Sequence, residues 1–128
     1  MIIDGFYIRY SRDIANIMTA VIPSQLSQYE PDELERIFNG LVQQVLASTR
    51  AESSTQRIAL HPAYQQIIGL GQPAVPLLLR EVEKRSGRWF WALKSITRED
   101  PVALGDRGRT KKMIEAWLSW GKEQGYRW

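Results

Sequence analysis

The chain has 128 residues, 44% of them hydrophobic and 24% charged, with a net charge of +3. This length fits one domain, and this composition is typical of a globular protein rather than a disordered one. The absence of cysteine excludes disulfide bonds and thiolate metal sites and fits the reducing cytoplasm. Because the apolar runs are short and the N-terminus lacks the basic region of a signal peptide, we expect no membrane association.

The N-terminal residues 1–10 are rich in β-branched and aromatic types, and apolar side chains alternate with polar ones. This pattern predicts a short strand or an extended arm. Ser11 can cap a helix over roughly residues 12–22, whose apolar residues recur on one face. Pro23 then ends that helix, because proline removes a backbone donor.

Residues 31–49 have the clearest helical pattern of the chain. Pro31 suits the first helical position, and the acidic residues just after it favour the positive end of the helix. The apolar residues form one continuous stripe for core packing: Leu34, Ile37, Phe38, Leu41, Val42, Val45 and Leu46. The polar stretch 50–57 predicts a loop between residues 1–49, the arm and long helix, and residues 58–128.

In the C-terminal part, proline and glycine divide the chain into four short segments with helical periodicity. We place these helices at about 61–69, 73–82, 88–98 and 109–124. Short helices joined by tight turns favour an orthogonal array over a long bundle. We therefore predict a mainly α protein, a single-domain orthogonal array of about six helices, and allow for a short N-terminal strand or extended arm.

The second half of the chain carries a dense series of short motifs: HPAY, IIGLG, AVPLLLRE, WFWAL, ITREDPV, GDRG and AWLSWGKEQGY. They lie within residues 61–126 and resemble the tail shared by a widespread family of short uncharacterised bacterial proteins. The resemblance implies no established activity, but members that sit beside other small genes suggest an antitoxin-like, immunity-like or defence-accessory role. The AVPLLL segment with its following helix also resembles one HEAT-type repeat unit, which implies an interaction scaffold.

The sequence does not favour an enzyme. The single histidine, His61, would have to serve any Ser–His–Asp arrangement, but it precedes Pro62 at a predicted helix start, where capping or packing explains it. Scattered carboxylates offer no cluster with metal-ligand spacing. The G-x-x-G segment at 105–108 is interpreted as a loop between helices. We therefore predict no catalytic residue, no metal site and no cofactor.

The five tryptophans all lie within residues 89–128. From Arg80 onward the chain has twelve Lys and Arg against seven Asp and Glu, so this part is both aromatic and basic. On a helical wheel of residues 88–98, Trp89 shares a side with the apolar residues and Trp91 points to the opposite side. We place Trp89 in the core and Trp117 and Trp120 in the core or at its rim, and we expect the terminal Trp128 to fray.

Trp91 stands among the cations Arg88, Lys94 and Arg98 on this wheel. An exposed tryptophan flanked by cations can stack on a base or anchor a partner protein. The alternative is that the N-terminal segment, the helix 31–49 or cation–π contacts cover it. Because a small array covers its helices on two sides, we prefer the covered state.

For the function we predict a non-enzymatic interaction protein whose partner is another small protein, such as a toxin or an effector. The binding residues in this prediction are the indole and its neighbouring cations: Trp91, Arg88, Lys94 and Arg98. The alternative is nucleic-acid binding through the same face and four further cations: Arg107, Arg109, Lys111 and Lys112. Salt separates the two, because nucleic-acid affinity falls steeply with ionic strength, whereas an interface with an aromatic anchor depends on it much less.

Overall fold

The computed structural model of the chain describes residues 29–84 and 86–128. The chain divides into two compact units, Met1–Glu33 and Leu34–Trp128. The predicted N-terminal strand or arm and the predicted helix over 12–22 lie outside the described residues. All the packing described below belongs to the second unit.

The described residues form α-helices joined by short turns. The six helices are α1 (Pro31–Ser48), α2 (Thr55–Ala59), α3 (Pro62–Leu70), α4 (Val75–Glu83), α5 (Phe90–Thr97) and α6 (Thr110–Glu123). Three single 3₁₀ turns lie at Gln72–Ala74, Gly87–Trp89 and Leu104–Asp106. The prediction of a mainly α protein with about six helices is confirmed, and no strand occurs in the described part of the chain. Within that part, no helix has both the length and the apolar character needed to cross a membrane.

Prolines and glycines set the boundaries of these helices. α1 begins at Pro31 and α3 at Pro62, because proline at the first helical position removes no intrahelical hydrogen bond. Gly71 ends α3 with a φ of 75°, a conformation that residues with a Cβ atom rarely adopt. These prolines and this glycine are therefore visible in the sequence as boundaries of their helices.

The loop predicted over 50–57 is interrupted by a short helix. Ser54 Oγ accepts the backbone N–H of Arg57 at 3.3 Å, and α2 begins directly after this cap. The helix escaped prediction because its first three residues are polar and only Ile58 and Ala59 reach the core. The loop itself lies inside the second unit, so it does not separate two compact units.

α4 lies at the centre of the packing, since it contacts α5, α6 and the 3₁₀ turns on both sides of it. Its buried apolar residues are Val75, Leu78, Leu79 and Val82. The predicted stripe of α1 also contributes to the core, through Phe38, Leu41, Val42 and Val45. Arg80 joins the two helices at their surface, where its Nη1 donates to Glu35 Oε2 at 2.9 Å. The periodicity of α1 is thus a reliable guide to its buried face.

The tryptophans assigned to the core by the helical wheel are buried. Trp89 is 1% exposed and Trp117 is 0% exposed. Trp120 is half-buried and packs edge to face with Trp117, with ring centroids 5.3 Å apart. This arrangement brings the positive edge of one ring against the negative face of the other. The positions predicted for these three indoles are confirmed.

The C-terminal residues fold back on α6. Gly125 has a φ of 88°, and the Tyr126 N–H donates to the Gly121 carbonyl at 2.9 Å, which forms a Schellman turn. Trp128 then packs against the backbone at Gly121, and its Nε1 donates to Glu83 Oε1 at 3.0 Å. The expectation that Trp128 frays is wrong, because this turn and this hydrogen bond hold the terminus in place.

Candidate functional site

The start of α5 is held by a tyrosine from a different helix. Trp89, at the N-cap of α5, makes no side-chain capping bond. Instead the Tyr64 hydroxyl accepts the Ala92 N–H at 3.0 Å and donates to the Arg88 carbonyl at 2.5 Å. The first N–H groups of a helix have no partner within it, so this hydroxyl serves as the cap from outside.

The same tyrosine also fixes the ring of Trp89. The two rings stack with centroids 5.4 Å apart and planes inclined by 11°. Tyr64 is fully buried, and this burial raises the pKa of its hydroxyl although the bond from Ala92 partly offsets the effect. The hydroxyl therefore stays protonated at neutral pH and remains able to donate.

Anchoring Trp89 inward turns Trp91 outward, because two residues along a helix are separated by about 200° of rotation. Trp91 is 45% exposed, so the preferred expectation of a covered indole is wrong. The helices that chiefly contact α5 are α2, α3 and α4, and the long helix α1 is not among them. Phe90, Ala92 and Leu93 are the buried residues of α5. The packing of this helix therefore uses the sides that Trp91 does not occupy.

Arg88 does not join the indole as predicted. It is half-buried, and its Nη1 donates to Thr49 Oγ1 at 3.2 Å. Thr49 is itself buried and donates to the Val45 carbonyl at 2.6 Å. Arg88 thus connects the end of α1 to the turn before α5, and we leave it out of the candidate site.

Lys94 is on the exposed side of α5 but has an anionic neighbour. Its Nζ lies 3.5 Å from Asp100 Oδ2, and Arg107 Nη2 donates to the same oxygen at 2.8 Å. Partial burial disfavours the charged form of Asp100, but the Val102 N–H and these two cations outweigh that effect and hold its pKa below the ordinary value. Asp100 therefore stays ionised and reduces the positive charge around Lys94.

Arg98 ends α5 in an unusual backbone conformation. Its φ is 59° and its ψ is 24°, and its N–H donates to the Lys94 carbonyl at 2.8 Å. The left-handed region costs a residue with a Cβ atom about 1–2 kcal/mol. The side chain is exposed, and its guanidinium takes part in no hydrogen bond or ion pair within the described part of the chain. Arg98 thus presents a cation at the end of the helix that no described residue neutralises.

We refer to Trp91, Lys94, Ser95 and Arg98 as the Trp91 face. Lys94 and Ser95 lie one turn from the indole on the same side of α5, Arg98 directly follows the last residue of the helix, and all four residues are exposed. An exposed indole with a guanidinium two turns away offers apolar area, a ring face and charge-assisted hydrogen bonds. The arrangement is suited to binding and contains no nucleophile paired with a base.

Most of the cations proposed for nucleic-acid binding are paired with carboxylates. Arg107 lies 2.8 Å from Asp100, Arg109 lies 3.5 Å from Asp106, and Lys112 lies 3.8 Å from Glu115. Lys111 lines a surface groove of about 420 Å³ beside α6. The other residues of this groove are Glu83, Thr110, Ile114, Glu115 and Leu118. The structure therefore does not present these four residues as one row of free cations.

His61 has a structural position, as its sequence context indicated. It is the N-cap of α3, and its Nδ1 accepts the Ala63 N–H at 3.0 Å. This hydrogen bond satisfies one of the first backbone N–H groups of α3, so capping accounts for the position of His61. Among the described residues, no group of three or more His, Asp and Glu has the geometry to hold a metal ion.

The sequence analysis missed Tyr64 and Thr49, which support the start of α5 from the buried side. Tyr64 contacts Trp89 and Ala92, and Thr49 accepts a hydrogen bond from Arg88. Tyr64 belongs to the HPAY motif and Trp89 to the WFWAL motif, and the two motifs meet in the stacked pair of rings. Only the fold reveals these contacts of Tyr64 and Thr49, because the partners are separated by 24 residues or more in sequence. Comparison of the chain with protein families, with curated proteins and with solved structures finds no match.

Proposed function

We propose that this chain is a non-enzymatic interaction protein that binds a partner protein through the Trp91 face. The observation that carries the proposal is the exposure of Trp91, at 45%. Every other tryptophan, tyrosine and phenylalanine in the described residues is buried or half-buried. Tryptophan is enriched among the residues that dominate the affinity of protein interfaces.

The exposed part of this indole is large enough to matter for affinity. A tryptophan side chain buries up to about 250 Å², so covering the exposed 45% removes about 110 Å² from water. At about 25 cal/mol/Å² this area corresponds to about 2–3 kcal/mol. A contribution of that size would make Trp91 a hot spot, whose loss weakens binding by roughly a hundredfold.

The ion pairs around α5 and α6 support a protein partner over nucleic acid. Nucleic-acid binding depends on several free cations that replace the counterions of the phosphates. Lys94, Arg107, Arg109 and Lys112 each have a carboxylate within 4.0 Å. These pairs reduce the net positive charge available to a phosphate backbone, whereas an indole anchor does not require that charge.

An antitoxin-like, immunity-like or defence-accessory role is one form of the proposed function, and its support is the family resemblance alone. A cytoplasmic location also belongs to the proposal and is supported by the absence of cysteine. These two proposals concern the biological role and the location of the protein, and the proposed binding through the Trp91 face does not depend on either of them.

The experiment is affinity capture from the native host with three tagged proteins, the wild type, Trp91→Ala and Leu104→Ala. Leu104 is 83% exposed and lies outside the Trp91 face, so it controls for the general loss of an exposed apolar side chain. We expect a protein that the wild type and Leu104→Ala retain and that Trp91→Ala loses, at equal thermal stability. Identical captured sets for all three proteins would contradict the proposal. Nuclease-sensitive, salt-sensitive capture would favour nucleic acid instead.

A further inference from the structure

Arg98 has the positive φ angle that only glycines adopt elsewhere in the described part of the chain. Three glycines of the described residues have positive φ, namely Gly71, Gly108 and Gly125, and each lies in a turn or at a helix end. Arg98 is the one residue of another type with positive φ in that part of the chain. Glycine adopts this conformation without steric cost and is the common residue at such helix ends. Arg98 therefore departs from the local backbone preference.

Within the described part of the chain, the Arg98 side chain makes no hydrogen bond or ion pair that compensates for this conformation. Glu99 is adjacent in sequence, but its backbone N–H donates to Thr97 Oγ1 at 3.1 Å, and its carboxylate forms no ion pair with the guanidinium. The carboxylate of Asp100 is already occupied, because it is paired with Lys94 and Arg107. Strained residues that lack an internal reason concentrate at binding sites.

We propose that Arg98 is a recognition residue that binds a carboxylate of an acidic partner segment while Trp91 takes an adjacent apolar side chain. This inference rests on the proposed function and specifies the class of its partner. Arginine suits the role because its planar guanidinium can hold a carboxylate through two parallel hydrogen bonds. The partner segment is therefore expected to combine Asp or Glu with an apolar residue.

Two other occupants fit the charges of this face less well. A phosphate backbone needs a row of free cations, and the neighbouring Arg107 and Arg109 are paired with Asp100 and Asp106. A second copy of the chain related by a twofold axis would place the positive residues of the two faces against each other. An acidic protein segment meets the exposed guanidinium with the opposite charge.

The test is a selection of random linear phage-displayed peptides on the immobilised wild-type protein, followed by synthesis of the consensus peptide. Arg98→Gly is the matched variant, because glycine keeps the left-handed backbone and removes only the side chain. We expect a consensus with Asp or Glu beside an apolar residue, and binding to Arg98→Gly weakened roughly tenfold or more. Arg98→Gly should melt no lower than the wild type, and replacing the peptide's Glu by Gln should weaken binding to a similar extent.

The outcomes separate the two proposals. If the consensus peptide has no carboxylate and binds the wild type but not Trp91→Ala, the proposal of an acidic partner is wrong and the proposed function is still supported. If no peptide is enriched above a blank surface, or if both Trp91→Ala and Arg98→Gly bind the peptide as tightly as the wild type does, the further inference and the proposed function are both wrong. Single-stranded oligonucleotides that bind the wild type and compete with the peptide at moderate salt also overturn the assignment of a carboxylate, in favour of a phosphate.

Discussion

Replacing Tyr64 by phenylalanine removes one oxygen atom from the structure and should weaken the fold considerably. The ring can still stack on Trp89, but the buried Ala92 N–H loses its acceptor and the Arg88 carbonyl loses a donor. A buried polar group left without its partner costs about 1–3 kcal/mol. We expect a loss of about 2 kcal/mol in the free energy of unfolding, which lowers Tm by about 8 °C in a chain of this size.

The matched control is Tyr126→Phe. This variant also removes one tyrosine hydroxyl, but the Tyr126 hydroxyl donates to Gln72 Oε1 at 2.6 Å in exposed surroundings, where water can replace it. Its cost should stay below about 0.5 kcal/mol. Urea denaturation followed by circular dichroism at the helical band measures both variants. Equal stabilities for Tyr64→Phe and Tyr126→Phe would refute the capping role of the Tyr64 hydroxyl.

Burial of the Tyr64 hydroxyl also leads us to expect that the free energy of unfolding falls at alkaline pH. Burial raises the pKa of Tyr64 in the folded state above its ordinary value of 10.0, so the unfolded chain loses this proton first. The stabilisation is complete below pH 10 and declines as pH rises from there toward the folded pKa, by about 1.4 kcal/mol per pH unit. The difference in stability between the wild type and Tyr64→Phe should therefore shrink as pH rises from about 10 to about 11.

The remaining predictions concern two glycines and two indoles. A Cβ atom at Gly121 would lie 2.7 Å from Leu79 Cδ1, so Gly121→Ala should lower stability by about 1–3 kcal/mol. At Gly40 in α1 no atom lies within 4 Å of such a Cβ, and Gly40→Ala should instead raise stability by up to about 1 kcal/mol. Trp89→Ala should cost about 3–5 kcal/mol, because the ring is 1% exposed, whereas Trp91→Ala should change stability by less than about 1 kcal/mol. Urea midpoints measure all four variants, and equal losses for the two tryptophans would contradict the division between core and surface.

The sequence predicted the helices with a clear periodic stripe and failed where helices depend on capping alone. In α1 the apolar positions repeat over several turns, so both its extent and its buried face were predictable. α2 has five residues and two buried ones, which is too short for a periodic pattern to appear. Its start depends on the bond between Ser54 and the N–H of Arg57. Such a cap is visible in a sequence only when the helix after it is already suspected.

The sequence predicted the side of α5 on which Trp91 lies, but it did not predict which residues make up the exposed site. The helical wheel placed Trp91 opposite Trp89, because rotation along one helix is a local property. Whether Trp91 is covered depends on which helices pack against α5, and this is a tertiary property. Arg88 shows the same limit, since its bond to Thr49 joins residues that are 39 positions apart. Single-helix reasoning assigned Arg88 to the exposed face, and the contact with α1 removed it.

The Trp91 face combines two features that do not stabilise the isolated unit. An indole 45% exposed leaves apolar area in water, and Arg98 occupies a backbone region that glycine occupies without cost. Each could arise alone for a local reason, but they lie on and at the end of the same short helix, α5, whose start is fixed by the buried pair of Tyr64 and Trp89. Natural chains that depart from local structural preferences tend to do so at functional sites. The rigid support behind α5 therefore has a consequence for binding: it holds the backbone of Trp91 in place before any partner arrives, so that less ordering of this part of the site is required when one binds.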